Sequence, residues 1–364
     1  MPALREGITI GICHPNDITK PDRLDSPLLL AWAARAGTLI LYQDAHNTPG
    51  LAELLAAAAN MTSLCIVCRD VLAAAQADYL ISKCCPLTRI ELTGPCRPSI
   101  LHETVEELLV EFDAEGGEDD FDPRQVNVLL FHCTRLPRLR WLRLNLGLLQ
   151  PVMLTCAVQL RELDVLDIQM TLDDFDNSLS WALAQPCGQF FLWVTVVTSD
   201  VSRNAAFAQQ LSRARLQMLT VTLQGEFRAA MQALWAPVQA ERVILKFCGN
   251  TQGSHALTML PCCSTLVLEF WQAWDLPSAI QISWEALTRH ANRVFIRLDM
   301  LNELHVIGFE QDETSLGGLQ QPWQLVVHGG RGVQGLPASQ QTKQAYLLQN
   351  QAARAAGWTE DTDW

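Results

Sequence analysis

The residues of this chain that could carry chemistry are its cysteines, its histidines and a few clusters of charge. Cys65-Ile-Val-Cys68 has the spacing of a redox dithiol or of half a zinc site. The pair lies in a predicted strand, where residues three apart face opposite sides, and no second Cys/His pair stands nearby at ligand spacing. Cys84-Cys85 and Cys262-Cys263 are adjacent pairs at predicted junctions between repeats. We therefore expect the cysteines to pack in the core and the junctions, and we predict no metal and no cofactor.

Motifs of nucleophilic and phosphate chemistry do not occur: the sequence has no G-x-S-x-G, no G-x-x-x-x-G-K-[ST] and no H-E-x-x-H. His132 and Cys133 are neighbours on a predicted helix, so their side chains diverge and cannot share a proton. The glycine-rich stretch 329–335 is followed by Leu336-Pro337, which leaves no helix N-terminus to hold a phosphate. We predict that this stretch is a loop closing the array and that the chain is not an enzyme.

An acidic loop at residues 111–122 carries seven carboxylates. Clustered oxygens suit Ca²⁺, but the D-x-D-x-D-G spacing of a calcium loop is missing. A solvated loop, or a contact for a basic partner, is the favoured interpretation.

Composition limits the partners and the compartment. The 364 residues are 49% hydrophobic and 18% charged, which suits a large buried core, and the net charge of −13 repels nucleic acid and anionic membranes. No apolar run resembles a signal peptide or a membrane span. We expect a soluble, cytoplasmic protein with reduced thiols, bound to no nucleic acid and no membrane.

One pattern dominates the chain: a short run of alternating apolar residues, a polar turn, a helical segment, then another such run. Apolar residues at i, i+2 and i+4 predict strands with one buried face. These strands are predicted at residues 8–12, 39–41, 64–68, 87–92, 139–146, 160–165, 192–196, 216–223, 243–247, 266–270, 294–298 and 325–327. Helices are predicted between them, at residues 26–35, 49–61, 70–83, 99–112, 123–135, 174–184, 203–213, 226–235 and 279–290.

The spacing of the strands predicts a repeat array. When one apolar anchor residue is chosen in each strand, most steps from one anchor to the next are between 21 and 31 residues. The anchors are Leu39, Leu64, Ile90, Leu142, Leu163, Leu192, Leu219, Val243, Leu266, Val294 and Leu325. A period in this range is typical of solenoids. The step from Ile90 to Leu142 is about twice the usual length, as if one unit had lost its strand. We predict an array over residues 1–335 with an irregular insert at about 94–123, and a C-terminal helix and acidic tail over 336–364.

Several units resemble the leucine-rich repeat, whose strand segment is L-x-x-L-x-L. The matching segments are Leu139-Arg-Trp-Leu142-Arg-Leu144, Leu160-Arg-Glu-Leu163-Asp-Val165, Leu216-Gln-Met-Leu219-Thr-Val221 and Leu87-Thr-Arg-Ile90-Glu-Leu92. The approaches to two strands, at residues 80–87 and 133–139, are similar to the helix-to-strand junctions of the long, ribonuclease-inhibitor-like class. The regular asparagine that follows the strand in that family is absent. The resemblance implies an α/β, right-handed solenoid with a parallel concave sheet and helices on the convex side.

The strand residues between the anchors would point outward across the concave sheet and form a protein interface. Aromatic residues and arginines on a solvated face are typical of such interfaces. We predict an interaction module, such as an adaptor, a substrate receptor or a host-directed effector, whose protein partner is unidentified. The predicted contact residues are Tyr42, Arg89, Glu91, Trp141, Arg143, Asn145, Glu162, Asp164, Trp193, Thr220, Arg242, Lys246, Glu269, Phe295 and Arg297.

The alternative is an α/β enzyme with an unrecognised active site, since doubly wound sheets and barrels also alternate strands and helices. Those folds bury their strands on both faces and show continuous apolar runs. Charged residues such as Arg89, Arg143 and Lys246 interrupt the runs here. This alternation favours the solenoid.

Overall fold

The structure is a computed structural model. It describes residues 8–12, 24–42, 48–67, 74–84, 86–94, 98, 101–111, 124–145, 159–172, 178–196, 201–224, 238–248, 256–257, 260–271, 279–298, 303–307, 324–329 and 332–334. The predicted helix at 226–235, the acidic loop beyond Glu111, Cys68 and the C-terminal helix and tail lie outside these residues.

Thirteen strands form one sheet in which each strand is bonded to the next one along the chain, apart from three intervening strands of a second sheet. Neighbouring strands are parallel from β1 to β7 and again from β8 to β16. Its strands are β1 (Ile8–Ile12), β2 (Ala36–Tyr42), β3 (Ser63–Val67), β4 (Arg89–Thr93), β5 (Glu107–Glu111), β6 (Trp141–Asn145), β7 (Leu163–Leu172), β8 (Cys187–Val196), β9 (Leu216–Gln224), β10 (Gln239–Cys248), β12 (Cys262–Trp271), β14 (Ala291–Leu298) and β16 (Gln324–Gly329).

A second, four-stranded parallel sheet alternates with the last strands of the large one. It contains β11 (Ala256–Leu257), β13 (Ala279–Ser283), β15 (Glu303–Ile307) and β17 (Gly332–Gln334). The helices are α1 (Pro27–Ala33), α2 (Leu51–Ala57), α3 (Ala74–Lys83), α4 (Arg124–Cys133), α5 (Ser178–Leu183), α6 (Val201–Leu211) and α7 (Trp284–His290).

The chain divides into two units. The first contains Met1–Thr171 and Phe175–Phe190, and it holds β1 to β6 and nearly all of β7. The second contains Leu172–Asp174 and Phe191–Trp364, and it holds the greater part of β8, the strands that follow and the second sheet.

Rows of apolar residues, one per strand, form the core of each unit. In the first unit, register joins Leu39, Leu64, Ile90, Leu108, Leu142 and Leu166 in one buried row. In the second unit it joins Leu192, Leu219, Val243, Leu266, Val294 and Leu325. Side chains alternate between the two faces of a strand, so the next inward residue is two positions on. Each buried leucine of such a row contributes about 1.5–3 kcal/mol of hydrophobic stabilisation.

The helices begin where local chemistry allows. Ser26 caps α1, since its Oγ accepts a hydrogen bond from the Leu29 amide at 3.3 Å, and Pro27 occupies the first turn. Gly50, just before α2, has φ +89°, and a Cβ there would lie 2.6 Å from the Asp25 backbone nitrogen. Glycine alone fits this position because of both the positive φ and the close approach.

The predicted class, an α/β fold with a repeat-like parallel sheet, is confirmed, and the arrangement is compatible with a leucine-rich-repeat-like solenoid. Each predicted strand of the large sheet is present, and ten of the eleven anchors lie in the two buried rows.

The helix predicted at 99–112 is wrong, because this segment contains strand β5. Residues 101–106 form a turn held by side chains: His102 Nδ1 accepts from the Leu87 amide at 3.0 Å, and Thr104 Oγ1 donates to the Leu87 carbonyl at 2.7 Å. Leu108 and Val110 then enter the core. The apparent double-length step between Ile90 and Leu142 therefore contains a strand of the sheet.

Three further predictions need correction. The anchor of β7 is Leu166, not Leu163, because register places Leu166 opposite Leu142. The helix predicted at 279–290 begins only at Trp284, since 279–283 forms β13. The glycine-rich stretch predicted as a loop contains strand β17.

Candidate interaction surface

The outward side chains of β2 to β7 form a surface of the first unit, here called the first face. Register aligns them in three rows: Thr38, Ser63, Arg89, Glu107, Trp141 and Val165; Ile40, Cys65, Glu91, Leu109, Arg143 and Asp167; Tyr42, Val67, Thr93, Glu111, Asn145 and Gln169. Among the charged members, two arginines stand against four carboxylates, so the first face is acidic on balance.

Cross-strand ion pairs order the charges of the first face. Arg89 binds Glu91 at 3.2 Å and Glu107 at 3.4 Å, and all three side chains are more than a third exposed. Such exposed pairs contribute little to stability, on the order of 0–1 kcal/mol each. Asn145 donates a hydrogen bond to Glu111 Oε1 at 2.9 Å. These contacts fix the positions of polar groups while leaving them accessible.

Two aromatic side chains on the first face remain open to solvent. Trp141 is 39% exposed and Tyr42 is 37% exposed. Trp141 lies between Glu107 and Val165 in its row, and Arg143 follows it two residues on along the same face. A tryptophan that exposes this much apolar surface beside arginine and carboxylate groups is typical of a protein-binding surface.

The carboxylate beside Arg143 is Asp167. Asp167 Oδ2 lies 3.6 Å from Arg143 Nε, and register places these residues opposite each other. Glu162 precedes β7, so its prediction as an outward strand residue is wrong. Asp164 lies near the start of β7 and binds Arg140 at 2.6 Å.

The outward side chains of β8 (from Phe191), β9, β10, β12 and β14 form a surface of the second unit, here called the second face. It carries the predicted residues Trp193, Thr220, Arg242, Lys246, Glu269, Phe295 and Arg297. Four cations (Arg242, Lys246, Arg293 and Arg297) stand against one carboxylate, Glu269, among the charged outward residues of these registers. The second face is therefore basic although the whole chain has a net charge of −13.

The middle row of the second face is buried, unlike that of the first face. Register aligns Trp193, Thr220, Ile244, Val267 and Phe295, and the three central residues are each 2% exposed. The alternation of buried and solvated residues that favoured a solenoid is therefore lost in this row.

A buried ion pair lies beside that row. Lys246 Nζ is 3.6 Å from Glu269 Oε2 and 6.0 Å from the ring centroid of Trp193. Burial lowers the pKa of the neighbouring Arg242, and the charge of Glu269 opposes that effect. Breaking such a pair by removing one partner is costly, because the other charge stays buried and uncompensated.

Four of the described thiols are poorly suited to nucleophilic or redox chemistry. Burial raises the pKa of Cys65 to about 12, with a further contribution from Glu91, and burial also raises that of Cys133 to about 12. Burial likewise raises the pKa of Cys187 and of Cys248. A thiol in this state is almost never a thiolate at neutral pH, and the thiolate is the reactive form.

Exposed apolar side chains on the helices of the first unit form a rival surface that the sequence analysis did not single out. Two of the aromatic rings contact a cation of their own helix or of the turn that follows it. Arg135 lies 4.3 Å from the Phe131 ring centroid, and Lys83 lies 5.3 Å from the Tyr79 ring centroid. The exposed helical residues are Leu28, Trp32, Tyr79, Val128 and Phe131.

The sequence analysis also missed Glu107, Leu109, Glu111 and Asp167 as members of the first face. The signal for the first three was the Glu-Leu-Leu-Val-Glu alternation at 107–111, and for Asp167 it was the second match to L-x-x-L-x-L at Leu163-Asp-Val-Leu166-Asp-Ile168. The first signal lay inside the helix predicted at 99–112, and the second overlapped the match to L-x-x-L-x-L at 160–165.

Within the described residues, no three His, Cys, Asp or Glu side chains are grouped so that they could hold a metal ion. Among the helices of the described chain, none has the length and apolar content needed to cross a membrane. Comparison with protein-family models, with curated proteins and with solved structures gives no significant match for this chain.

Proposed function

We propose that this chain is a non-catalytic protein-interaction module, a divergent relative of the leucine-rich-repeat proteins, which binds a protein partner through the first face. The observation that carries the proposal is the exposed Trp141 on a sheet face of ordered polar groups. A tryptophan held on a rigid strand can enter a partner's pocket with little further loss of conformational freedom.

The strand order also supports binding rather than catalysis. Open α/β enzyme sheets bind their substrates where the strand order reverses. In the described part of this chain, the large sheet runs through in chain order with no such reversal. Together with the raised pKa values of Cys65 and Cys133, this topology favours an interaction module over a thiol enzyme.

Photo-crosslinking from matched tyrosine positions tests the proposal. Benzoylphenylalanine in place of Tyr42 samples the first face, and the same residue in place of Tyr79 samples α3, where the native side chain is also exposed. In extracts of the cells that make the protein, we expect discrete crosslinked products from position 42 and not from position 79. Crosslinking from position 79 alone would move the interface to the helices.

A further inference from the structure

Two hydrogen-bond donors on the second face lie buried beside each other with no acceptor among the described residues. Thr220 is 2% exposed and its Oγ1 has no hydrogen-bond partner. Trp193 Nε1 is also buried and unpartnered, and register places Trp193 opposite Thr220 across β8 and β9. A buried polar group without a hydrogen-bond partner destabilises the fold, so two of them on neighbouring strands call for an explanation.

Cations lie on the same face as these donors. Lys246 lies close to the Trp193 ring, and Arg242 lies on the same strand and face, four residues before Lys246. Arg297 is paired in register with Glu269, which is the carboxylate that Lys246 contacts. Cations therefore outnumber carboxylates among the outward residues of these described strands.

We propose that Trp193, Thr220, Arg242 and Lys246, here called the carboxylate cradle, bind a carboxylate from an aspartate or glutamate of a protein partner. A carboxylate is acceptor-only, with two oxygens, and it complements the indole N–H, the hydroxyl and the two cations. The inference rests on the proposed function, since it specifies a partner chemistry for a protein-binding sheet, but it places that contact on the second face.

Glu269 acts as an internal competitor for the cradle. Its pair with Lys246 holds the lysine across the face near Trp193. An incoming carboxylate reaches the donors when the flexible lysine stem moves, and it then takes over the cation that Glu269 had bound. Neutralising Glu269 should therefore strengthen binding, whereas removing a cradle residue should weaken it.

The test uses a fluorescein-labelled decapeptide rich in Asp and Glu, and its twin with Asn and Gln at the same positions, with affinities measured by fluorescence anisotropy on the full chain. We expect the acidic peptide to bind at least roughly tenfold more tightly than the twin, the scale set by hydrogen bonds to charged groups. Lys246→Met and Thr220→Val should each weaken binding severalfold, and Glu269→Gln should tighten it. Equal binding of the two peptides would overturn the proposal.

Thr220→Val separates a ligand contact from a structural one. The substitution replaces an unpartnered hydroxyl by a methyl group of the same shape, so the melting temperature should stay the same or rise while peptide affinity falls. A lowered melting temperature with unchanged affinity would show that the hydroxyl serves the fold, and the cradle would be rejected.

Glutarate competition identifies the source of the carboxylate. If the carboxylate comes from a protein partner, millimolar glutarate should displace the peptide only weakly. Tight binding of glutarate without binding of the peptide would assign the cradle to a small organic acid and refute the protein source. Trp32→Ala, on helix α1 and outside both faces, should leave peptide affinity unchanged. A further outcome is that the parent protein binds the acidic peptide no more tightly than its twin, while the partner crosslinked from position 42 binds the Lys246→Met variant normally. In that case the cradle is wrong and the proposed function stands.

Discussion

Leu142, Arg143 and Leu144 show how a single strand divides its residues between core and surface. Both leucines are fully buried in adjacent rows of the first unit, and Arg143 between them is exposed and paired with Asp167. Leu142→Ala and Leu144→Ala should each lower the free energy of unfolding by about 2–5 kcal/mol, through lost burial and a residual cavity.

Arg143→Ala is the matched control in the same strand, and it should cost less than about 1 kcal/mol because it removes only an exposed pair. Urea denaturation of the three variants measures these differences. A larger loss for Arg143→Ala than for either leucine variant would invert the register of β6 and the membership of the first face.

The thiols of Cys65 and Cys133 give a second prediction at the scale of residues. Because burial raises both pKa values to about 12, the folded protein holds these thiols protonated. At pH 8 their thiolate fraction is on the order of one in ten thousand, against about one in ten for a thiol with the ordinary pKa of about 9. Both should therefore resist iodoacetamide in the folded protein and react once it is unfolded in urea, as measured by peptide mass spectrometry.

The same shifts predict a loss of stability at high pH. A raised folded pKa favours the protonated form, so this contribution is intact below the unfolded value of about 9 and is lost as the pH rises toward 12. Rapid alkylation of Cys133 by iodoacetamide in the folded protein at pH 8 would contradict the predicted resistance, because it would show that the thiol is open to solvent.

At the scale of elements, β5 is the strand that the sequence analysis missed. Leu108 is buried and Leu109, on the opposite face, is only partly buried. Leu108→Ala should lower the free energy of unfolding by about 2–5 kcal/mol, and Leu109→Ala should lower it by clearly less, since its side chain leaves no closed cavity. Equal losses in urea denaturation would favour the helix that the sequence pattern suggested, because adjacent helical leucines can share a core boundary.

The strand β7 illustrates why register is hard to predict from a single sequence. Leu160, Leu163 and Leu166 are spaced by three residues, so L-x-x-L-x-L can be matched twice. The choice depends on residues distant in sequence: the Leu160 amide donates to Gln185 Oε1 at 2.9 Å, and Gln185 Nε2 donates to the Trp181 carbonyl at 2.9 Å. These buried contacts keep Leu160 in the turn and start the strand at Leu163.

Local alternation was sufficient elsewhere. The strands around Ile90, Leu142 and Leu219 have apolar residues two apart on the inward face and polar residues between them, which is the pattern of a strand with one buried face. The second sheet was not predicted because its strands have five residues or fewer, and Ala279–Ser283 runs directly into helix α7. The helix predicted from residue 279 began five residues early and so concealed this strand.

At the scale of the whole molecule, the charge pattern matters more than the net charge. A value of −13 predicts repulsion of every polyanion, yet the second face carries more cations than carboxylates. The net charge acts over a Debye length, whereas contacts within a cradle of buried donors are screened much less. The net charge therefore predicts no general binding of nucleic acid, and this prediction is compatible with the proposed acidic protein segment.

The repeat arrangement also determines how binding residues are presented. In the first unit, each strand pairs only with its immediate neighbours, so the outward residues of six strands stand at fixed spacings of about 4.8 Å. Under the proposed function, the side chains of this surface determine which partner binds, while the backbone that holds them stays the same. The central claim is that the partner contacts this surface around Trp141.

The affinity of two tryptophan variants for the partner crosslinked from position 42 tests that claim most directly. Trp141 lies on the first face and Trp32 lies on helix α1, where it is 53% exposed. We predict that Trp141→Ala weakens binding by about 2 kcal/mol or more, while Trp32→Ala changes it by less than about 0.5 kcal/mol, with both variants melting like the parent protein. Full affinity in a folded Trp141→Ala variant, with loss in Trp32→Ala, would contradict the account and place the interface on the helices.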